Sequence, residues 1–234
     1  MIIYGKNPVK EAILANRAVN IVYIDNKFKD RAIENLIEEY KLTAKRVSKH
    51  QLNLLTDNGL HQGIVADVAD YQTKPLDSLF DGKQKKVIIL DRILDPHNFG
   101  AIIRTVEAAG IDAIIIGKKS QVKITPTVCK IASGAVEYVN IIEVANLNRA
   151  VEELKANDFF IIGATADGSA NFSQVEKSQS LALIIGNEGV GISYMLKQAS
   201  DYLVKIPMKG KINSLNASVA AALLIFEMTG LFKE

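Results

Sequence analysis

The chain has 234 residues, of which 48% are hydrophobic and 23% are charged. These proportions are ordinary for a soluble globular protein, and the length suffices for one large domain or two modest ones. The formal charge of +2 and the pI of about 8.5 lie below the strongly basic range of many nucleic-acid-binding domains, so charge alone neither requires nor excludes RNA.

The sequence shows neither a membrane span nor an export signal. No apolar run approaches the roughly 20 residues that a membrane helix requires, and residues 1–6 lack the charged-then-apolar order of a signal peptide. The single cysteine, Cys129, excludes an internal disulfide and fits a reducing compartment. We expect it to be a small buried side chain. These features predict a cytoplasmic protein.

The first 70 residues predict a small α/β domain, because short apolar runs alternate with one stretch of helical periodicity. The predicted elements are strands over residues 20–25, 46–48 and 63–69 and helices over residues 29–40 and 50–55. Residues 71–85 lose this periodicity and collect polar residues, proline and glycine. That composition indicates a linker.

From residue 86 onward, strands and helices alternate. This order predicts an α/β domain over residues 86–234, built on a mostly parallel sheet with helices on both faces. The predicted strands span residues 86–90, 112–117, 138–143, 159–164, 181–186 and 202–206. The predicted helices fall near residues 99–109, 126–132, 147–157, 193–198 and 215–229.

The first of three informative segments follows the strand at residues 86–90. Asp95 and Pro96 fix a turn, Asn98 occupies the position of a helix cap, and Arg104 is the one charge in the apolar start of the next helix. Open α/β sheets place their chemistry at such strand ends, and an arginine there can hold a phosphate through two hydrogen bonds. A capped turn followed by a solvated arginine would explain the same residues.

The second segment, residues 183–192, is a strand that ends in a glycine-rich loop. Its glycines follow the order G-x-x-G-x-G rather than the dinucleotide-binding order G-x-G-x-x-G, and the chain has no Walker A sequence. Glycines allow the backbone to approach a ligand closely. A tight connection from strand to helix would explain the loop equally well, with Glu188 near a helix start.

The third segment, residues 204–222, runs from a strand through a basic loop into an Ala-rich helix. Ser214 and Asn216 are candidate helix caps. The helix is apolar on nearly every face, which indicates burial in the core or at a subunit interface. Three lysines of the loop suit RNA phosphates, and would suit a solvated loop as well: Lys205, Lys209 and Lys211.

In this order, the three segments closely resemble the motifs of the SpoU/TrmH-type (SPOUT) RNA ribose 2′-O-methyltransferases. The resemblance covers about residues 86–230. Residues 4–12 and 60–64 resemble the ribosomal members of the family, which carry an added RNA-binding domain, and the nearest group is the 23S rRNA guanosine-2′-O-methyltransferases. The resemblance implies an RNA substrate-binding domain over residues 1–70. It also implies a deep trefoil knot in the α/β domain, where periodicity alone predicts an ordinary doubly wound sheet.

The resemblance implies S-adenosylmethionine as the cofactor. Gly186, Ile206 and Leu215 would hold its adenosine portion through backbone groups, and Thr165 and Asn187 would line the same pocket. The reaction needs no metal, and the three histidines have no ligand spacing between them.

The resemblance also implies the catalytic residues. Arg104 takes the central role, anchoring an RNA phosphate and stabilising the developing alkoxide, and Asn98 shapes the site. Glu188, Ser214 and Asn216 match further functional positions. The implied partners are 23S rRNA or its precursor particle and a second copy of the chain; neither a membrane nor DNA is expected.

Other functions remain open at this point. The substrate could be tRNA, although the amino-terminal domain favours rRNA, or a different rRNA nucleotide, since antibiotic-resistance methyltransferases share the two-domain plan. The chain could also be a non-catalytic RNA-binding or ribosome-assembly factor, but all five candidate catalytic residues are present. A Rossmann-type nucleotide enzyme would be expected to carry the glycine fingerprint that this chain lacks.

Overall fold

The computed structural model describes residues 1–170, 172, 175–211 and 214–231. Tertiary contacts group the chain into two compact units. The amino-terminal unit consists of Met1–Gln72 and Ile124–Tyr138, and the larger unit consists of Thr73–Lys123 and the described residues from Val139 onward. Residues 124–138 therefore group apart from the rest of the segment predicted as one domain.

The secondary-structure elements follow one another in an α/β order. In chain order they are β1 (Ile2–Tyr4), α1 (Lys6–Leu14), β2 (Val19–Asp25), α2 (Arg31–Glu39), β3 (Ala44–Val47), α3 (Lys49–Leu55), β4 (Ile64–Val68), β5 (Lys86–Asp91), α4 (Pro96–Ala108), β6 (Ala113–Gly117), α5 (Pro126–Ile131), β7 (Asn140–Val144), α6 (Leu147–Ala156), β8 (Phe159–Ala164), β9 (Ser180–Gly186), α7 (Tyr194–Ala199), β10 (Tyr202–Val204) and α8 (Ala217–Thr229). Two short 3₁₀ helices span Leu76–Leu79 and Ala135–Glu137. The first lies in the predicted linker and buries Leu79 in the core of the larger unit.

A four-stranded mixed sheet forms the centre of the amino-terminal unit, in the order β1-β4-β2-β3. β4 runs antiparallel to β1 and β2, and β2 runs parallel to β3. Local signals set the helix starts. The Asp30 side chain accepts a hydrogen bond from the Ile33 N–H at the start of α2, and Ser48 and Gln51 form a reciprocal capping box at the start of α3.

Residues 124–138 are tied to the first 72 residues by long-range polar contacts. Arg17 Nη1 donates to Glu137 Oε1 at 2.8 Å, and both side chains are nearly buried, with exposed fractions of 8% and 6%. Tyr138 donates its hydroxyl hydrogen bond to Glu11 at 2.8 Å. Cys129 of α5 is buried as predicted, and burial raises the pKa of its thiol to about 11.

A six-stranded, fully parallel sheet forms the larger unit, in the order β10-β8-β9-β5-β6-β7. The central strand β5 is buried along most of its length, which agrees with its continuous apolar sequence. Val87 and Ile89 face a core shared with α6 and α7. Two further helices also pack on the sheet: α4 contacts β6, and α8 contacts β9. The predicted parallel α/β sheet is confirmed.

The strand order reverses beside β5. From β5 the chain proceeds through α4 to β6 on one side, whereas from β9, the other neighbour of β5, it proceeds through α7 toward β10 on the opposite side. A crevice opens outside the carboxyl ends of strands at such a reversal, and ligands bind there in open α/β sheets. The first two informative segments leave β5 and β9 at this point.

Two predicted boundaries were wrong at this edge of the sheet. α4 begins at Pro96 rather than near residue 99, and Asp95 is its cap, because the Asp95 carboxylate accepts from the His97 N–H at 2.9 Å. Asn98 is therefore inside the first turn and is not the cap. β10 ends at Val204 and not at residue 206, because the chain turns out of the sheet before Pro207.

The apolar helix α8 is buried on one side only. Ala221, Leu224 and Ile225 belong to the core, whereas Val219 and Leu223 are 47% and 42% exposed. Of the helices within the described part of the chain, none has both the length and the apolar character required to cross a membrane.

The buried ion pair of the amino-terminal unit gives a stability test. Replacing Arg17 by Ala leaves the Glu137 carboxylate buried without its partner, which we expect to lower the free energy of unfolding by about 3 kcal/mol at pH 7. Arg149→Ala removes an exposed pair with Glu153 and should cost less than about 0.5 kcal/mol. Urea unfolding followed by circular dichroism measures both variants, and equal losses would contradict a special role for the buried pair.

The same variant should respond to pH in a defined direction. Burial raises the pKa of Glu137 above 4.5, and Arg17 opposes this shift. Without Arg17 the pKa rises further, so the folded state favours the protonated carboxyl. Its contribution to stability is complete below pH 4.5 and is lost as the pH rises through the raised pKa. The destabilisation of Arg17→Ala should therefore be smaller near pH 4 than at pH 7.

Candidate active site

Three separated segments of the chain converge beyond the carboxyl ends of β5 and β9. The centre of this meeting point is the Glu188 carboxylate. Its Oε1 accepts hydrogen bonds from Asn98 Nδ2 at 2.9 Å, from Asn216 Nδ2 at 2.7 Å and from the Ala217 N–H at 2.9 Å. Asn216 Nδ2 also donates to Asn98 Oδ1 at 2.8 Å. The structure thus joins one residue from each of the three informative segments.

Glu188 lies at a helix start, but of a helix distant in sequence. Asn216 is the cap of α8, and its Oδ1 accepts from the Ser218 and Val219 N–H groups. Glu188 accepts from the first N–H group of the helix, that of Ala217. A carboxylate is favoured near the positive end of a helix dipole. The glycine-rich loop is therefore bound to the amino end of α8.

A second carboxylate, Asp91, holds the base of the same loop, and unlike the exposed Glu188 it is buried. Asp91, which is 5% exposed, accepts from the Ser193 N–H at 2.6 Å and from Arg92 Nε at 3.2 Å. Arg92 Nη2 donates to the Gly191 carbonyl at 3.3 Å. Arg92 has φ of 60°, a left-handed conformation that costs free energy in a non-glycine residue. These contacts fix the end of β5 to the loop after β9.

The loop can close only because glycine stands at two positions. A Cβ on Gly186 would lie 2.2 Å from the Gly191 carbonyl carbon, and Gly191 has φ of 70°. This close approach joins two stretches of the loop's own backbone, as expected of a tight connection from strand to helix; approach to a ligand stays a prediction. Asn187 completes the turn, since its Oδ1 accepts from the Gly189 N–H at 2.8 Å.

A cavity of about 540 Å³ lies beside this loop, formed by the ends of β8, β9 and β10 and the start of α8. All five residues proposed from sequence as cofactor-binding line it: Thr165, Gly186, Asn187, Ile206 and Leu215. Glu188 and Ser214 line it as well. Asn98 and Asn216 do not line the cavity, but both donate hydrogen bonds to Glu188, which does. Ile212 and Asn213 of the third segment lie outside the described residues.

The cavity wall presents a polar group that the protein leaves largely unsatisfied. Thr165 Oγ1 is buried and, apart from a weak interaction with the Asp167 carboxylate, has no hydrogen-bond partner among the described residues. Asp167 also lines the cavity and pairs with Lys197 at 2.6 Å. That hydrogen bond lowers the pKa of Asp167. The wall thus combines a buried hydroxyl, a charge pair and apolar side chains.

Arg104 is placed differently from the other predicted catalytic residues. It lies on the exposed side of α4, does not line the cavity, and forms no hydrogen bond or ion pair with the part of the chain that is described. Three basic residues after β10 are also exposed: Lys205, Lys209 and Lys211. The structure therefore gathers four of the five predicted catalytic residues and leaves Arg104 apart, facing solvent.

Sequence reasoning missed Asp91, Arg92, Asp167 and Lys197. Asp91 and Arg92 stand inside the first segment, but nothing local shows that they hold a loop 100 residues later. The pair of Asp167 and Lys197 spans 30 residues, and neither residue belongs to a recognisable pattern. The only signal in the sequence that Asp91 has a role is that it and Arg92 are charged residues that directly follow the apolar run of residues 87–90.

Comparison with known proteins bears on both parts of the chain. Residues 85–226 match the model of the SpoU rRNA Methylase family, and residues 2–74 match the model described as RNA 2′-O ribose methyltransferase substrate binding. A Staphylococcus epidermidis protein named for the TrmH family of tRNA/rRNA methyltransferases is 40% identical over 97% of this chain and 94% of its own length.

Two solved structures show the same fold. An AdoMet-bound rRNA methyltransferase from Sinorhizobium meliloti superposes with a TM-score of 0.84 at 22% identity, covering 98% of this chain and 87% of that one. A TrmH/SpoU tRNA modifying enzyme from A. aeolicus gives a TM-score of 0.58 at 30% identity, covering 68% of this chain and 81% of that one.

The Glu188 cluster predicts a stability effect. Glu188→Ala removes one acceptor from three donors and should lower the free energy of unfolding by about 1–2 kcal/mol. Glu188→Gln keeps an oxygen at that point and should cost less. Glu152→Ala on the exposed side of α6 is the matched control and should stay within about 0.5 kcal/mol. Urea unfolding decides the matter; a Glu188→Ala variant as stable as the control would show that the cluster does not hold the loop.

Proposed function

The chain belongs to the SpoU rRNA Methylase family, and on that premise we propose that it transfers a methyl group from S-adenosylmethionine to a ribose 2′-hydroxyl of 23S rRNA, at a guanosine. The observation that carries the proposal is the joining of Asn98, Glu188 and Asn216 beside a cavity at the carboxyl ends of β8, β9 and β10. The larger unit performs methyl transfer, and the amino-terminal unit binds RNA.

The cavity fits the proposed cofactor. Small-molecule sites commonly measure about 300–1,000 Å³ and combine apolar walls with a few placed polar groups. Ile206 and Leu215 supply apolar wall, and the buried hydroxyl of Thr165 supplies a donor or acceptor. The backbone groups of Gly186, Ile206 and Leu215 hold the adenosine portion. Asn187 acts by shaping the loop, because both ends of its amide are engaged within the protein.

When bound, S-adenosylmethionine supplies an activated methyl group on a sulfonium. The protein then has to position the ribose and exclude competing water, and positioning alone can account for a large part of such catalysis. Glu188 holds the two asparagine amides in fixed orientations toward the site. Ser214, which lines the cavity, contacts the ribose in this proposal.

Arg104 anchors the RNA in this mechanism. A guanidinium stays charged and offers paired donors that match phosphate geometry, which makes it a poor base and a good anchor. Its exposed position on α4 leaves it available to an RNA phosphate, and it stabilises negative charge that develops on the 2′-oxygen. The exposed lysines after β10 supply further phosphate contacts.

The assignment of rRNA is supported by coverage along the chain. The match to the substrate-binding model spans residues 2–74, and the S. meliloti rRNA enzyme corresponds to 98% of this chain, whereas the A. aeolicus tRNA enzyme corresponds to 68%. tRNA is the second candidate, because the A. aeolicus enzyme has the higher identity, 30% against 22%. A non-catalytic assembly role would leave the aligned amides and the cofactor-sized cavity without a purpose.

Three further features belong to the proposal. The chain acts as a homodimer in the cytoplasm, and the exposed apolar side chains of α8, Val219 and Leu223, are suited to a subunit contact.

The backbone after β9 and the backbone after β10 form a trefoil knot. In support, both stretches line one cavity although a whole helix and strand separate them.

Radiolabelled S-adenosylmethionine, supplied separately with 23S rRNA and with bulk tRNA, tests the function. Label at one alkali-resistant linkage of 23S rRNA is the expected result and identifies the nucleotide. Label in tRNA alone would replace the substrate, and no label in free or particle-bound RNA would contradict the proposed reaction.

Arg104→Ala should lower the rate of methyl transfer by roughly 100-fold or more, the size seen when one group that stabilises transition-state charge is removed. Affinity for S-adenosylmethionine should stay unchanged, because Arg104 does not line the cavity. Single-turnover kinetics and calorimetry measure the two quantities. Arg149→Ala, an exposed arginine of α6, is the control; loss of cofactor binding in Arg104→Ala would contradict the assigned role.

Thr165→Val should weaken S-adenosylmethionine binding by about 3- to 10-fold, the cost of one neutral hydrogen bond. The free protein should be at least as stable as the parent, since the variant removes a buried hydroxyl that lacks a full partner. Calorimetric titration and thermal unfolding without ligand test the two effects. Unchanged affinity would show that this hydroxyl does not contact the cofactor.

A further inference from the structure

The amino-terminal unit has a cavity of its own, of about 650 Å³. It lies where β2 ends, between the start of α3 and the loop that precedes β4. All of its lining residues belong to Met1–Gln72. The loop before β4 includes residues 60–63, most of one of the two stretches (residues 60–64) that linked the amino-terminal sequence to RNA-binding relatives. Neither the cofactor nor the methyl-transfer chemistry proposed above accounts for this cavity.

The rim of this cavity carries unpaired positive charge. Lys27, Lys29 and Lys49 line it, are exposed, and form no ion pair with the described residues. A fourth lysine, Lys6, is already engaged by Asp30 at 2.8 Å. Unpaired lysines around a concave surface favour a ligand with negative charge at its edge. Phosphate groups of a nucleic-acid backbone carry that charge.

The interior is polar, and its groups are held in fixed orientations. His61 Nδ1 accepts from the Gly63 N–H at 3.0 Å, so its Nε2 carries the proton and donates to Asn53 Oδ1 at 2.9 Å. Burial lowers the pKa of His61, which keeps the ring in this neutral form. The Asn53 amide is thereby oriented, and its Nδ2 donates to no residue of the described chain. This group remains available to an acceptor on a ligand.

An apolar side chain stands at the mouth of the cavity. Leu60 is 74% exposed, among the highest values for a large hydrophobic side chain in the described residues, and it lines the cavity. An exposed leucine beside lysines has no packing role in the unit itself. A flat apolar ligand surface, such as the face of a nucleobase, would cover it. The cavity thus has charged groups outside, fixed polar groups inside and an apolar edge.

We propose that this cavity binds one unpaired nucleotide of the RNA substrate, with Lys27, Lys29 and Lys49 on the flanking phosphates, Leu60 against the base, and the Asn53 amide on the base edge. The inference rests on the proposed function only in taking RNA as the substrate. A stacked, paired base cannot present its face and edge to a cavity, whereas bases in loops and bulges can. The unit then recognises a loop rather than a duplex.

RNA binding by the full chain tests this inference, with a stem-loop RNA and a fully paired RNA of equal length as probes. The first variant is the triple change of Lys27, Lys29 and Lys49 to Ala. Its control removes three other exposed lysines, Lys41→Ala, Lys45→Ala and Lys83→Ala, so that net charge changes equally. Leu60→Ser is the second variant, since it alters no charge. Circular dichroism confirms that each variant is folded.

The lysine variant should bind the stem-loop roughly 10- to 100-fold more weakly at 0.1 M salt, and the slope of log K against log salt should fall by about 2, as expected for three lost single-strand phosphate contacts. Leu60→Ser should weaken stem-loop binding several-fold and leave that slope unchanged. Binding of the paired RNA should change no more than it does in the control.

Two results would overturn the inference. Equal effects of the lysine variant and its control would show only a general charge effect, and equal losses for stem-loop and duplex would exclude a pocket for an unpaired nucleotide. This test measures RNA binding and not methyl transfer, so its outcome is independent of the radiolabelling experiment. If the chain binds the stem-loop as described but transfers no label in that experiment, the proposed reaction is refuted and the nucleotide pocket is retained.

Discussion

A single carboxylate oxygen holds the candidate active site together. Glu188 Oε1 collects donors from α4 and from the first turn of α8, and hydrogen bonds to an ionised acceptor are roughly twice as strong as neutral ones. The glycine-rich loop after β9 is therefore positioned by helices that are distant in sequence. The cavity takes its shape from that attachment, because the loop and the start of α8 form two of its walls.

The cavity also depends on irregular backbone at the ends of the strands. Gly186 and Gly191 approach more closely than side chains would allow, and β10 releases the chain two residues earlier than its apolar pattern predicts. At both departures the backbone finds partners outside the regular ladder, since the Gly191 N–H donates to the Asn187 carbonyl and the Lys205 N–H donates to the Ala170 carbonyl. Asp91 and Arg92 hold this irregular backbone in place through their contacts with Ser193 and Gly191.

The parts of the fold that follow from local pattern could be predicted. β5 and β9 are continuous apolar runs between polar loops, and their parallel pairing follows from the alternation with helices. The cap of α4 could not be decided from local sequence, since Asp95 and Asn98 are both good cap residues. Asn98 instead donates a hydrogen bond to Glu188, which lies 90 residues away in the sequence. The same reason hides Asp167 and Lys197. β1 is too short for any periodicity, and the grouping of residues 124–138 with the amino-terminal unit depends on long-range contacts that no sequence window contains.

That grouping has an evolutionary consequence. The chain passes between the two units three times, after Gln72, after Lys123 and after Tyr138, so the amino-terminal unit is not a cassette that one recombination event can exchange. If residues 1–72 were replaced by the same segment of another protein, Glu137 of this chain would lose Arg17, which lies 120 positions away in the sequence. Relatives that alter one of these two residues should carry a compensating change in the other, and the covariation would follow the unit boundary rather than the order of the gene.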